Sequence, residues 1–212
     1  MLDRLLQKME RLSRMAVWVA GAALIFAAFM VTIDVLLRYT FSISMGGADE
    51  ITGYIFATGT AWAFSFTLFE RANVRIDALY QLLPKPVCAV LDLISITVLG
   101  GFMLLVTKAA YSVFYGSLGW PFGESEFWSL SITPLLTPLA IPQGIWLVGL
   151  ILFMVTITLV LARTVVALVQ GDLATVARVA GPRTQQEEVD EELHLAESIH
   201  ADVAAKESSE EN

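Results

Sequence analysis

The stretch from Gly144 to Ala162, GIWLVGLILFMVTITLVLA, contains no charged residue. A helix rises about 1.5 Å per residue, so roughly 20 apolar residues cross the ~30 Å hydrocarbon layer of a bilayer. In lipid every backbone N–H and C=O needs a partner within the segment, so the run reads as helix. That holds even at the β-branched Ile157, Thr158 and Val160, which would favour strand in water. Working outward from it toward the N-terminus, three further runs have the same character: Val87 to Thr107, Ile51 to Phe69 and Met15 to Leu37. The expected fold class is an all-α integral membrane protein with four transmembrane helices, about 15–37, 51–69, 87–107 and 144–162.

Composition agrees. Of 212 residues 56% are hydrophobic and 16% charged, against roughly 25% charged in a soluble domain. The net charge of -8 is carried by the end of the chain. Residues 184–212 hold ten acids against the single base Lys206, which leaves residues 1–183 close to neutral. This tail is expected to be a disordered cytoplasmic segment. No basic patch remains to follow a nucleic-acid backbone, so nucleic acid is not an expected partner. The lone Cys88 excludes an intramolecular disulfide and a multi-cysteine metal centre, and both histidines, His194 and His200, lie in the tail. The spans therefore offer no histidine for haem or a metal.

Lys and Arg fix the expected orientation, because cytoplasmic loops retain positive charge. Arg4, Lys8, Arg11 and Arg14 precede the first span, Arg71, Arg75 and Lys85 follow the second, and Arg163, Arg178, Arg183 and Lys206 follow the fourth. The other side keeps only Arg38 and Lys108, with Asp49, Glu50, Glu124 and Glu126. Both termini are thus expected in the cytoplasm, and the first span reads as a retained anchor rather than a cleaved signal. Residues 1–14 place Leu2, Leu5, Leu6, Met9 and Leu12 at helical spacing, predicting an amphipathic helix lying on the inner leaflet. Ile76, Leu79, Tyr80 and Leu83 predict a second one, stopped by Pro84 and Pro86. On the outer side Tyr115, Trp120, Phe122, Phe127 and Trp128 suit the headgroup layer, and Pro121, Pro134, Pro138 and Pro142 predict an ordered, non-spanning loop.

Charges within spans cost about 2.5–3.5 kcal/mol at the bilayer centre, so each calls for a reason. Asp34 and Arg38 sit four apart near the outer end of the first span, which allows an ion pair on one helix face. Asp49 and Glu50 open the second span, where acids favour the positive end of the helix dipole, and Asp92 stands near the start of the third. Gly53, Ala57 and Ala61 recur every four residues, a pattern that lets another helix approach closely, and Gly100 with Gly101 offer a similar flat spot in the third span. There is no nucleotide loop, no catalytic carboxylate pair and no nucleophile with a base, so no enzymatic activity and no cofactor are expected.

Three motifs in order carry a resemblance: Asp34-Val-Leu-Leu-Arg38-Tyr39-Thr-Phe41, then Asp49-Glu50, then the segment from Thr67 to Pro84 with Asn73-Val74-Arg75-Ile76-Asp77 inside it. Over residues 15–162, including Leu139-Ala-Ile-Pro142-Gln, the chain resembles the small membrane subunit of TRAP transporters, the DctQ family. Gly46-Gly47-Ala48 stands where the family often has Trp before the acidic pair, and Asn73 where it often has His, so roles tied to those positions are not carried over. The resemblance implies a bacterial inner-membrane subunit that pairs with a large multi-span permease and a periplasmic substrate-binding protein in sodium-driven uptake of organic acids or related solutes. It implies that the sodium and substrate sites lie in the large subunit, while the small one supports the fixed part of the carrier. Asp34, Arg38, Glu50, Gly53, Ala57, Ala61, Arg75 and Asp77 are the candidate structural or subunit-interface residues. Two other readings compete: a self-sufficient oligomeric transporter or channel built around Asp34 and Arg38, and a membrane anchor that docks a cytoplasmic partner through the acidic tail.

Overall fold

The computed structural model describes residues 2–71, 83–123 and 128–181, together with 189, 193, 196–198 and 200 in the tail. The described residues hold five helices: α1 (Leu2–Phe41), α2 (Ala48–Phe69), α3 (Lys85–Ser117), α4 (Ala140–Val169) and α5 (Leu173–Ala180). Among them no strand forms, and the loop before α4 holds an isolated β-bridge between Leu130 and Pro138. The described tail positions have helical backbone. The second interfacial helix expected over residues 76–83 lies outside the described residues except for Leu83, as do Arg75 and Asp77.

Three helices, α1, α3 and α4, are long and apolar enough to cross a membrane. Helix α2 has 22 residues, a length of about 33 Å, but its Thr52, Thr58, Thr60, Ser65 and Thr67 dilute its hydropathy. Two of these hydroxyls are satisfied within the helix, whereas Thr52 Oγ1 and Ser65 Oγ are buried without a hydrogen-bond partner among the described residues. Thr60 and Thr67 return their Oγ1 hydrogens to the carbonyls of Phe56 and Phe64, both at 2.8 Å.

Hydropathy marked the spans more narrowly than the helices extend. The expected boundary between an interfacial segment 1–14 and a span beginning at Met15 has no counterpart in the backbone: α1 runs unbroken for 40 residues, about 60 Å. The reason is local. No proline occurs in α1, and Gly21 is the one glycine in it, so nothing stops the helix where its apolar run begins. Its first turns rest on protein: Leu6 packs against the main apolar cluster and Asp3 pairs with Arg163 of α4 at 2.9 Å. Helix α3 likewise continues ten residues beyond Thr107. Its start is set by Pro84 at the cap and Pro86 in the first turn, where a missing N–H costs nothing. Pro142, expected in the loop, falls in the first turn of α4 for the same reason.

The long helices lie side by side in the order α1, α2, α4, α3, with α1 also touching α4 and with α5 against α3 and α4. Helix α4 occupies the middle and supplies half of the main cluster: Leu147, Leu150, Phe153, Ile157 and Val160 meet Ala61 and Leu68 of α2 and Ile96, Met103 and Ala110 of α3. Small residues set the spacing. A Cβ on Gly149 would stand 2.6 Å from Trp62 Cδ1, one on Gly59 would stand 3.3 Å from Ala20 Cβ, and one on Gly144 would stand 3.1 Å from Phe114. Gly100 faces Ile157 while nothing lies within 4 Å of Gly101, so the expected flat spot in the third span is used on one side only.

Candidate functional site: the end joints and the exposed face of the helix row

At the end of the row that carries the α1–α2 and α3–α4 connections, Asp34 is buried in α1 with its side chain 3% exposed. It takes a hydrogen bond from Arg38 Nη2 at 2.6 Å, one turn on, and another from the Met45 backbone N–H at 2.6 Å, with Ser44 Oγ at 3.3 Å. The carboxylate thus closes the connection from α1 to α2 and gives a buried anion three donors, the condition under which burial is tolerated. Arg38 is 57% exposed and reaches Ser44 Oγ as well.

Glu50, in the first turn of α2, joins this connection to the one before α4. Tyr54 Oη donates to its Oε1 at 2.5 Å and Thr133 Oγ1 donates to its Oε2. Thr133 is braced in turn by Ser131, whose Oγ accepts from the Thr133 backbone N–H at 3.2 Å. The backbone of this loop is pinned by Ser131 N–H to Thr137 O and Leu139 N–H to Ser129 O, both 2.9 Å. Leu135 then lies over Gly47, where a Cβ would be 2.3 Å from its Cδ1, and Pro134 lies against Gly46, which has φ +70°. Gly46-Gly47 therefore leaves the room that Leu135 fills. A cavity of about 180 Å³ remains between Asp34, Arg38, Asp49, Glu50, Thr133 and Pro134.

Gly53, Ala57 and Ala61 do not form one surface. Gly53 and Ala57 are exposed together with Phe56 and Thr60, whereas Ala61 is fully buried, with its backbone 3.1 Å from a Cβ placed on Gly149. Each four-residue step turns about 40° around a helix, so the second step carries the pattern from the open face into the α2–α4 contact. The exposed stripe 53, 56, 57, 60 has the spacing of one helix face.

The opposite end of the row is tied by longer-range pairs. Arg14 lies 3.6 Å from Glu70 and over the ring of Phe66, Arg163 holds Asp3, and Arg71 Nη1 reaches Ala177 O at 3.5 Å. Asp172 caps α5, accepting from Thr175 N–H at 3.0 Å and Thr175 Oγ1 at 2.5 Å. These bonds hold its carboxyl below the ordinary value of 3.8. Asp92, 2% exposed near the start of α3, is also engaged.

Sequence reasoning did not single out Tyr54, Ser131, Thr133, Trp62 or Gly149. Tyr54 follows Glu50 by four residues, a pairing that spacing alone reveals. Trp62 stands in mid-span, where an indole N–H must find an acceptor; it donates to Ile145 O at 2.9 Å. Nothing in the sequence points from Glu50 to Thr133.

These features describe an all-helical membrane protein whose polar groups serve as joints at the two ends of an apolar helix row. The chain belongs to the DctQ family: the family model for tripartite ATP-independent periplasmic transporters, DctQ component, matches residues 27–171, more than half of it. It is the small membrane component of a TRAP transporter, a family of transporter subunits and not of enzymes. Comparisons with curated proteins and with solved structures return no match.

Proposed function

We propose that this subunit is the fixed membrane support of its transporter, crossing a bacterial inner membrane four times with both termini in the cytoplasm. The observation that carries this reading is the row order α1, α2, α4, α3. Helices laid side by side present two broad faces, suited to packing along another membrane protein. The exposed stripe Gly53, Phe56, Ala57 and Thr60 on α2 is the surface where the large permease packs, because small residues let a partner backbone approach closely. Both oxygens of Asp34 are used within the chain, which favours a structural joint over an ion-conducting site around Asp34 and Arg38. The orientation is supported by the gathering of Arg14, Arg71 and Arg163 at one end of the row, on the side the positive-inside rule assigns to the cytoplasm.

The sodium and substrate sites belong to the large permease, and a periplasmic binding protein delivers an organic acid or related solute. The test is reconstitution in liposomes under a sodium gradient. The chain alone gives no uptake, and uptake appears when the large permease and the binding protein are added. Sodium-dependent uptake by the single chain rejects the support role.

A further inference from the structure

On one broad side of the row an apolar groove of about 600 Å³ runs between α1 and the start of α4, with α2 as its floor. Leu12, Met15 and Val19 line it from α1, Ile55 and Trp62 from α2, and Ile145 from α4. Ile55 and Trp62 lie on the side of α2 roughly opposite to Gly53 and Ala57, so the groove and the exposed small-residue stripe face different ways. Met15 and Val19 are 66% and 70% exposed, which leaves the groove open to the lipid phase.

The same stripe of α1 changes chemistry at the end of the groove. Lys8 precedes Leu12 by four residues, Arg11 precedes Met15 by four, and Arg4 precedes Lys8 by four, so cations continue the line of the lining residues about 6 Å per step toward the N-terminus. All three are exposed. Among the described residues none of them forms an ion pair, whereas Arg14 pairs with Glu70 and Arg163 with Asp3. A lipid-facing apolar groove that leads into exposed bases complements one molecule in both halves: an acyl chain above and a negatively charged headgroup below. Long Lys and Arg side chains reach along the surface to headgroup oxygens while their stems stay on apolar ground.

We propose that this groove holds an acyl chain of an anionic phospholipid from the cytoplasmic leaflet, with the headgroup phosphate bound by Lys8 and Arg11. The inference rests on the proposed function only for placing the N-terminus at the cytoplasmic side. The α1 residues of the site, with Lys8 and Arg11, precede Ala27, where the family match begins, while Ile55, Trp62 and Ile145 lie within it.

The test uses the full chain in phosphatidylcholine nanodiscs, with Trp18, Trp120, Trp128 and Trp146 replaced by Phe so that Trp62 reports alone. Phosphatidylglycerol with brominated chains quenches Trp62 at about 25-fold lower mole fraction than brominated phosphatidylcholine, since each base near the surface is worth about five-fold. The exposed double substitution Lys8→Ala/Arg11→Ala removes that preference. Equal quenching by the two lipids, or a preference that survives the double substitution, overturns the proposal. So does loss of quenching by both lipids once the large permease is bound, because the groove then belongs to a partner helix. Native mass spectrometry of the chain with all its tryptophans gives a second readout: the double substitution loses retained phosphatidylglycerol, and unchanged retention counts against the site. Sodium-driven uptake by the reconstituted transporter is read separately, so a failed lipid site with intact uptake leaves the support role standing.

Discussion

Gly149→Ala places a methyl group at the tightest point between α2 and α4, and its effect follows from the geometry. The new Cβ would lie 2.6 Å from Trp62 Cδ1, 3.0 Å from Nε1 and 3.1 Å from the carbonyl carbon of Ala61, whereas ordinary contact begins at 3.4 Å. The indole must withdraw by about 0.8 Å, and the Ala61 backbone cannot rotate away as a side chain would, so α2 shifts as well. A withdrawal of that size takes the Trp62–Ile145 hydrogen bond from 2.9 Å to beyond the ~3.2 Å limit of a good N–H···O bond. Overpacking costs about 1–3 kcal/mol and the lost hydrogen bond about 0.5–1.5 kcal/mol, offset by up to about 1 kcal/mol from replacing glycine in a helix. The net expectation is a loss of about 0.5–3.5 kcal/mol, read from SDS unfolding of the chain in mixed micelles. Gly101→Ala, with nothing within 4 Å, changes sign and gains up to about 1 kcal/mol. Trp62→Phe combined with Gly149→Ala costs less than the two changes added, because both act on one contact. If Gly149→Ala is as stable as the parent, α2 and α4 do not meet through Trp62 and the row order is wrong.

Glu50→Ala releases the loop before α4, so a cysteine at Leu135, introduced with Cys88→Ser, reacts faster with a membrane-impermeant maleimide; an unchanged rate means that Glu50 does not hold Thr133. Gly53→Leu or Ala57→Leu lowers co-purification with the large permease while membrane insertion and unfolding stay normal, since both positions face outward; full recovery of the complex places the permease elsewhere. The depressed carboxyl of Asp172 gives a pH dependence of definite sign. Its capping contribution is complete above its ordinary value of 3.8 and is lost as pH falls through its lower folded value, so hydrogen exchange in α5 accelerates under strong acid and not near pH 5. Asp172→Asn, which keeps an acceptor for Thr175, removes that dependence while preserving protection at neutral pH.

The sequence by itself determined that the chain is helical and lies in a membrane. Uninterrupted apolar runs such as Gly144 to Ala162 admit no other backbone in lipid. It also located the charges worth explaining, since Asp34 and Arg38 pair across one turn as their spacing allows. Helix lengths were less legible, because hydropathy reports where a helix meets lipid and not where its hydrogen bonding ends. Leu6 and Asp3 extend α1 through contacts with residues far along the chain, such as Arg163. Only the tertiary structure decided the side-by-side order of the helices, the split of Gly53 and Ala57 from Ala61, and the link from Glu50 to Thr133. Those depend on how helix faces rotate against one another, and in a chain apolar all round hydrophobicity barely distinguishes one face from another. Close approach does distinguish them, and it is set by where Gly149, Gly59 and Trp62 meet.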